Sequence, residues 1–384
     1  MVYFANRDLN RIYSHSLLHG FAENIGGVFI FVYLLRAGLS VPMVLVTVAG
    51  LIGCRLLLRQ AVVPFAKIFG VRNAMMLGAA FIAGSFVALA YVDGIDARLM
   101  MFMLLAAFGE AFYWTSFHAT VASLGDSHAR GAQASAIQLV YALTSVVGPI
   151  AGGFALALLG PKAAFFTAAA MQVLAIIPCA GLPRMPVSST PMLHPEASRT
   201  AALAYFGDGI LSSGNVFSWS MALFITLGEK FQSYGLAQAA AALVGAGMAI
   251  ALGRLIDGGH PKRSAAIGLV AMTVSVLCKA SLFSSPVFVF VALAAGAIAA
   301  PIYSSAFNSR IYDLAQESGD ALRFHVSGEG GWDLGTSLSC LVGAALLYAG
   351  FGFATTISLA LIGIVIVGLV IRRSYQAAEP SLRK

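Results

Sequence analysis

The chain has 384 residues, 59% of them hydrophobic and 10% charged, with a mean hydropathy of +0.86. A soluble domain carries about 25% charged residues, so this composition excludes an ordinary soluble protein. The net charge of +7 would suit a nucleic acid only if it gathered in one patch, and it is spread over short loops instead.

Twelve apolar segments follow one another, each near the ~20 residues needed to cross a hydrocarbon core. They lie at 12–35, 41–61, 71–92, 99–123, 133–158, 162–182, 203–227, 235–256, 264–284, 287–309, 329–349 and 353–371. Helices are expected, because lipid offers backbone groups no partner outside their own segment and the runs are too long for barrel strands. The first run is too long for a signal peptide and lacks a small-residue cleavage pattern, so it reads as a span. With twelve spans both termini share one side. Seventeen basic residues, from Arg7, Arg11 and Arg59 to Arg383 and Lys384, fall on that side, against Arg36, Arg98, Lys162 and Lys230 on the other; Arg55 and Lys279 lie within spans. The bias places both termini in the cytoplasm, and the expected setting is the inner (plasma) membrane. Cys54, Cys179, Cys278 and Cys340 are scattered through apolar runs without a C-x-x-C pair, which reads as small buried hydrophobes.

One composition break interrupts the pattern. Pro183 to Thr200 reads PRMPVSSTPMLHPEASRT, with four prolines. It reads as a cytoplasmic linker, 183–202, between six-helix bundles at 1–182 and 203–384. The halves repeat each other. VPFAKIFGVRNAMMLG (Val63 to Gly78) and GRLIDGGHPKRSAAIGL (Gly253 to Leu269) both set basic residues and glycines in a short turn between apolar runs. FYWTSFH (Phe112 to His118) matches IYSSAFN (Ile302 to Asn308), pairing Tyr113 with Tyr303 and Phe117 with Phe307. His19 falls opposite Asp208, and Arg130 opposite Arg323. Matches in order at a nearly constant offset indicate duplication, the plan of many secondary transporters.

Twelve spans in two six-span halves with a central linker resemble the major facilitator superfamily over essentially the whole chain. Its loop signature, G-x-L-A-D-R-x-G-R-R, is degenerate in the first copy: Lys67 stands where the family has Asp, while Gly70 and Arg72 keep their places. The second copy holds Gly253, Leu255 and Asp257 in register, then Lys262 and Arg263. The resemblance implies a cytoplasmic latch, in which charges at helix ends pair in one conformation and part in another; loop charges that only set topology are the plain alternative. TSVVGPIAGG (Thr144 to Gly153) is similar to the G-x-x-x-G-P-x-x-G-G motif of superfamily exporters. Gly148, Gly152 and Gly153 allow close helix approach and Pro149 a bend, although ordinary packing would use the same residues. Where drug–proton antiporters have Arg in span four, Leu105 stands here.

An ionised group near the bilayer centre costs on the order of 2.5–3.5 kcal/mol or more, so the few present are the best transport candidates. They are Glu23 in span one and Glu110 in span four, two of the spans that the resemblance assigns to the central cavity. His15, His19 and Glu23 recur at i, i+4, i+8, as do Glu110, Trp114 and His118. Each set shares one helical face, with Asn24 and Tyr113 alongside. Such ladders suit a proton and substrate path; internal hydrogen bonding of the histidines, headgroup placement of His15, and structural acids are the plain readings. Asp208 and Asp333 stand near the starts of spans seven and eleven, as cavity groups or as helix-start acids. Arg55 either snorkels to the cytoplasm or meets an anion or a pore carboxylate. Asn215, Trp219, Tyr303 and Asn308 are further cavity candidates. No metal site is expected, since HSLLH (His15 to His19) is not H-E-x-x-H. No lysine precedes Ser or Thr, so there is no Walker-type loop and no cofactor beyond protons is expected.

These readings converge on a monomeric, non-enzymatic carrier for a small organic solute, embedded in lipid, proton-coupled through Glu23 and Glu110 and oriented toward efflux. An importer of a polar metabolite, a transporter-like sensor and an intramembrane enzyme on the His15/His19/Glu23 face are the alternatives.

Overall fold

The computed structural model describes residues 6–124, 130–183, 187, 194–256, 261–282, 285 and 287–378. Among the described residues there is no strand. Helix α1 (Arg7–Ile25) runs through a 3-10 turn (Gly27–Phe29) into α2 (Ile30–Arg36), followed by α3 (Val41–Arg59), a short α4 (Val62–Phe69), α5 (Val71–Leu89), α6 (Ala97–Leu124), α7 (Arg130–Leu158) and α8 (Pro161–Ala180). Then come α9 (Pro195–Ser212), a π-helical segment (Ser213–Ser218), α10 (Trp219–Thr226), α11 (Phe231–Ile256), α12 (Pro261–Leu282), α13 (Phe288–Ser318), α14 (Ala321–Tyr348), α15 (Phe353–Ser358) and α16 (Ala360–Ala378). Helix occupies every one of the twelve expected segments. Nine helical stretches among the described residues are long and apolar enough to cross a membrane, and those at 195–226, 231–256 and 321–348 are not among the nine.

Local chemistry sets the ends. The Asn6 side chain accepts from the amides of Asp8 and Leu9 at 2.9 and 3.3 Å, and Asp320 accepts from Arg323 N–H at 3.0 Å; both are N-caps that fill orphan donors. Gly70 takes φ +87° between α4 and α5, a backbone region that penalises a side chain. Helix α9 starts at Pro195, inside the expected linker, because proline suits the first helical turn and Glu196 stands there beside it.

The packing repeats. In the first part of the chain α1 packs on α7 and α8, α5 on α6 and α8, and α3 on α6. In the second, α9 packs on α14 and α16, α12 on α13 and α16, and α11 on α13. Each contact in one set has its counterpart in the other if α1, α3, α5, α6, α7 and α8 correspond to α9, α11, α12, α13, α14 and α16. The two seams between the sets, α3 with α14 and α7 with α11, exchange under the same correspondence. Close approach along these contacts depends on missing side chains. A Cβ on Gly331 or Gly335 of α14 would strike the carbonyl oxygens of Ala202 and Phe206 on α9, which accounts for the glycine-rich GEGGWDLG run. Large apolar side chains such as Leu57, Val270 and Ile362 stand exposed on the outside.

Candidate functional site

The expected candidates divide into three groups in space. The first is a charge network across the α3–α14 seam. Arg55 and Arg59, one turn apart on α3, both point at Asp333 of α14. Arg55 donates to Asp333 Oδ1 from Nε at 2.8 Å and from Nη2 at 2.5 Å. Arg59 reaches Oδ2 from Nε at 2.9 Å and from Nη2 at 2.8 Å. Arg55 also pairs with Glu110 of α6, and Arg59 with Glu329 of α14. Arg59 Nη1 donates to Thr115 Oγ1 at 2.7 Å, and the Thr115 hydroxyl donates to Glu329 Oε2 at 3.3 Å. His118 Nε2 stands 4.0 Å from Glu329 Oε1 and its ring stacks on His325 at 5.2 Å. The Arg55 guanidinium lies 4.9 Å from the centre of the Trp332 ring.

Burial gives this network its weight. Asp333 is wholly buried and Arg59 is 1% exposed. Groups so far from water persist as ions only when paired and hydrogen-bonded. Two guanidiniums face three carboxylates, so the network carries one excess negative charge when all are ionised. Glu110 keeps 29% of its side chain accessible, which makes it the open end of the network. Arg59 was expected among the loop charges of the cytoplasmic side; instead it is a core residue. Asp333 and Asp208 were candidates for helix-start acids, but α14 and α9 begin well before them.

The second group packs α1 against α6 and α8. His15 Nδ1 bonds the Ala175 carbonyl at 2.7 Å, and His15 Nε2 meets Tyr113 OH at 2.8 Å. A carbonyl only accepts, so Nδ1 carries the hydrogen and Nε2 accepts from the tyrosine. His19 Nδ1 bonds Gln172 Oε1 at 2.9 Å. His15 is fully buried. The Trp114 ring meets His19 edge-on at 5.4 Å and stacks on His118 at 5.8 Å, joining the two groups. The counterpart in the second half is Tyr303, whose hydroxyl donates to Asp208 Oδ1 at 2.6 Å. Phe117 stacks on Tyr113 and Phe307 on Tyr303, each at 5.6 Å.

The third group is Glu23 and its neighbours. Among the described residues the Glu23 carboxylate makes no hydrogen bond or ion pair. It folds toward Gly27 in the 3-10 turn, where a Cβ would lie 2.6 Å from Glu23 Oε2. Asn24 donates to the Gly20 carbonyl at 2.8 Å. The glycine–proline run on α7 packs on two sides: Gly148 lies against Asn24, Gly152 against the Ile25 carbonyl, and Gly153 against the Phe231 carbonyl, while Gly235 of α11 lies against the Pro149 carbonyl.

The remaining candidates stand apart. Asn215 binds Lys279, and Asn308 is exposed. Arg72 donates to the carbonyls of Ala180 and Leu182 at 3.2 and 2.9 Å, and Lys67 is exposed. Gly253 lies near the end of α11, Arg263 is exposed in the first turn of α12, and Asp257 falls outside the described residues. No group of three or more metal-ligating side chains occurs among the described residues.

This geometry can be set against known proteins. Residues 12–324 match the family described as Major Facilitator Superfamily. The chain belongs to the major facilitator superfamily. Superfamily transporters of known structure share its fold. A crystal structure of a POT family transporter in complex with 5-aminolevulinic acid aligns at TM-score 0.71 and 14% identity, covering 98% of each chain. Another POT family structure, with a thioalcohol-conjugated peptide, aligns at 0.67 and 14%, covering 100% of this chain and 98% of the other. The human organic anion transporter MFSD10 (TETRAN) aligns at 0.68 and 17%, covering 94% and 99%. Identities this low carry the fold alone. No curated protein sequence matches the chain. As a superfamily member it is a multi-pass integral membrane protein with a transporter fold.

Proposed function

We propose that the protein is a proton-coupled secondary carrier of a small organic solute, with twelve spans and both termini cytoplasmic. Residues 1–182 and 203–384 rock against each other about a central site. The observation that carries this reading is the contrast between two kinds of buried acid. Asp333 and Glu329 are locked to Arg55 and Arg59 across the α3–α14 seam, whereas Glu23 has no hydrogen bond or ion pair among the described residues and Glu110 is open at the edge of the network. Locked ions can hold one conformation, and the freer acids can exchange protons and solute. With the termini inside, Arg59, at the end of α3, lies toward the cytoplasm, so the network acts as a cytoplasmic gate that opens when Arg55 or Arg59 changes partner. The glycine–proline run of α7 favours export. The three structural neighbours were named for chemically different solutes, so their shared fold selects none of them.

Reconstituted vesicles test the proposal. Solutes that stabilise the purified protein in a thermal-shift screen at two pH values are imposed as gradients, and lumenal pH is followed with a trapped dye. Solute-driven proton movement in the wild type, abolished in Glu23→Gln and Glu110→Gln, is expected. Solute flux without proton movement would remove the coupling, and its preferred direction in oriented vesicles decides between export and import.

A further inference from the structure

Helix α12 carries Lys279 near its end, 6% exposed. Its ammonium donates to the Asn215 backbone carbonyl at 3.0 Å and to Asn215 Oδ1 at 2.8 Å, and lies 5.2 Å from the centre of the Trp219 ring. Gly296 of α13 leaves the space that this side chain fills: a Cβ there would stand 2.9 Å from Lys279 Cε and 3.1 Å from Nζ. Among the described residues no carboxylate pairs with Lys279. A buried ammonium held only by neutral groups is expensive, and both hydrogen bonds and the ring contact of this ammonium fall on a single stretch of chain.

That stretch is the π-helical segment Ser213–Ser218 and the first residue of α10. A π-turn shifts the backbone bonds away from the i→i−4 pattern, so a carbonyl there gains from an outside donor. Lys279 supplies one to Asn215. The stretch is also where the second half touches the first at the end opposite the termini. The Phe217 ring meets Phe31 of α2 edge-on at 4.9 Å, α10 packs on α2, and Arg36 pairs with Glu229 at 3.7 Å just beyond. Held carbonyl, irregular turn and inter-half contact therefore form one chain of contacts from α12 to α2.

We infer that Lys279 is a positioning residue for alternating access: it fixes the π-helical turn so that Phe217 and α10 close the seam remote from the termini. This rests on the rocking carrier proposed above. The test uses full-length protein with its four cysteines replaced by alanine and nitroxide labels at Ser40→Cys and Lys230→Cys, two exposed positions near that seam. Electron–electron distances are measured with and without a stabilising solute. Two distance populations in the otherwise unaltered protein support rocking, and a single fixed distance would overturn the carrier reading itself. Lys279→Met is expected to lower the ratio of short to long distances on the order of tenfold, within the range of known coupling effects. Two populations with an unaltered ratio in Lys279→Met, even with lowered thermal stability, would overturn the positioning role and leave rocking intact. Should that variant fail to fold, Lys279→Gln keeps a donor but no charge. Faster hydrogen exchange at amides 213–219 is then expected, and unchanged exchange there overturns the inference.

Discussion

Arg59→Met gives the most direct test of the network. The substitution keeps an unbranched side chain of similar length in α3 but removes every donor. Asp333 loses its contacts at 2.9 and 2.8 Å but keeps those from Arg55 at 2.8 and 2.5 Å. Glu329 fares worse. Its side chain is 12% exposed, and without Arg59 it retains, among the described residues, the Thr115 hydroxyl at 3.3 Å and His118 at 4.0 Å. Removing one partner of a buried pair costs about 3–5 kcal/mol, chiefly through the stranded charge. If Glu329 is the stranded group, Glu329→Gln in the same chain should return much of that loss, and the double-mutant cycle should yield a coupling of about 2 kcal/mol. Equilibrium unfolding in mixed micelles at fixed temperature measures all four proteins. A coupling below about 0.5 kcal/mol, within the usual error of additivity, would refute the claim that Arg59 and Glu329 form an energetically significant buried pair.

Other expectations follow from single contacts. Glu23→Gln leaves folding stability within about 0.5 kcal/mol in the same unfolding assay, because among the described residues the carboxylate has no partner to lose, while proton-coupled flux in vesicles disappears. Tyr303→Phe removes the 2.6 Å bond to the half-buried Asp208 and lowers unfolding stability by about 1.5–3 kcal/mol, as expected for the loss of a hydrogen bond to a carboxylate. Gly331→Val drives a branched side chain into the Ala202 carbonyl, so α9 and α14 must separate. A loss of about 1–3 kcal/mol, or failure to accumulate in the membrane, is the expected outcome, and wild-type stability would contradict the packing described.

The helices were legible because lipid enforces a simple rule: a long apolar run must satisfy its own backbone. The positions of Glu23, Glu110, Tyr113 and Tyr303 within their helices were legible for the same reason. Partners were not. Arg59 ends an apolar run and looked like a topology charge; only the fold reveals that α14 brings Asp333 and Glu329 to it. His325 and Glu329 were missed because the polar start of α14 reads as a loop, and the eleventh span was begun at 329 instead of 321. A signal was present: His325, Glu329 and Asp333 recur at the same four-residue step that singled out Glu110, Trp114 and His118, and Arg55 and Arg59 share it. Spacing places groups on one face of a helix, but it cannot say which helix that face meets. The short α4 escaped notice because a helix of eight residues lacks the length of a span.

The two seams between the halves correspond by position yet differ in chemistry, and that difference bears on how such a molecule can move. Between α7 and α11 the backbones are drawn together by Gly153 and Gly235, with Phe29 packed edge-on against Phe231 and Tyr234. Close packing of this kind is lost steeply with separation, because each dispersion contact is short-ranged. Between α3 and α14 the helices also pack, with Ser337 Oγ donating to the Ala49 carbonyl at 3.2 Å, but there long guanidinium side chains add ion pairs to acids on α14 and α6. Flexible ion pairs can trade one carboxylate for another while the backbones shift, provided no charge is left alone. The two seams are equivalent by position, and the arginines of α3 have no match at the corresponding positions of α11. A carrier of this design would pivot on the glycine-packed seam and switch at the charged one, so mutations at Gly153 or Gly235 should lower stability in every conformation, whereas mutations at Arg55 or Arg59 should change which conformation is populated.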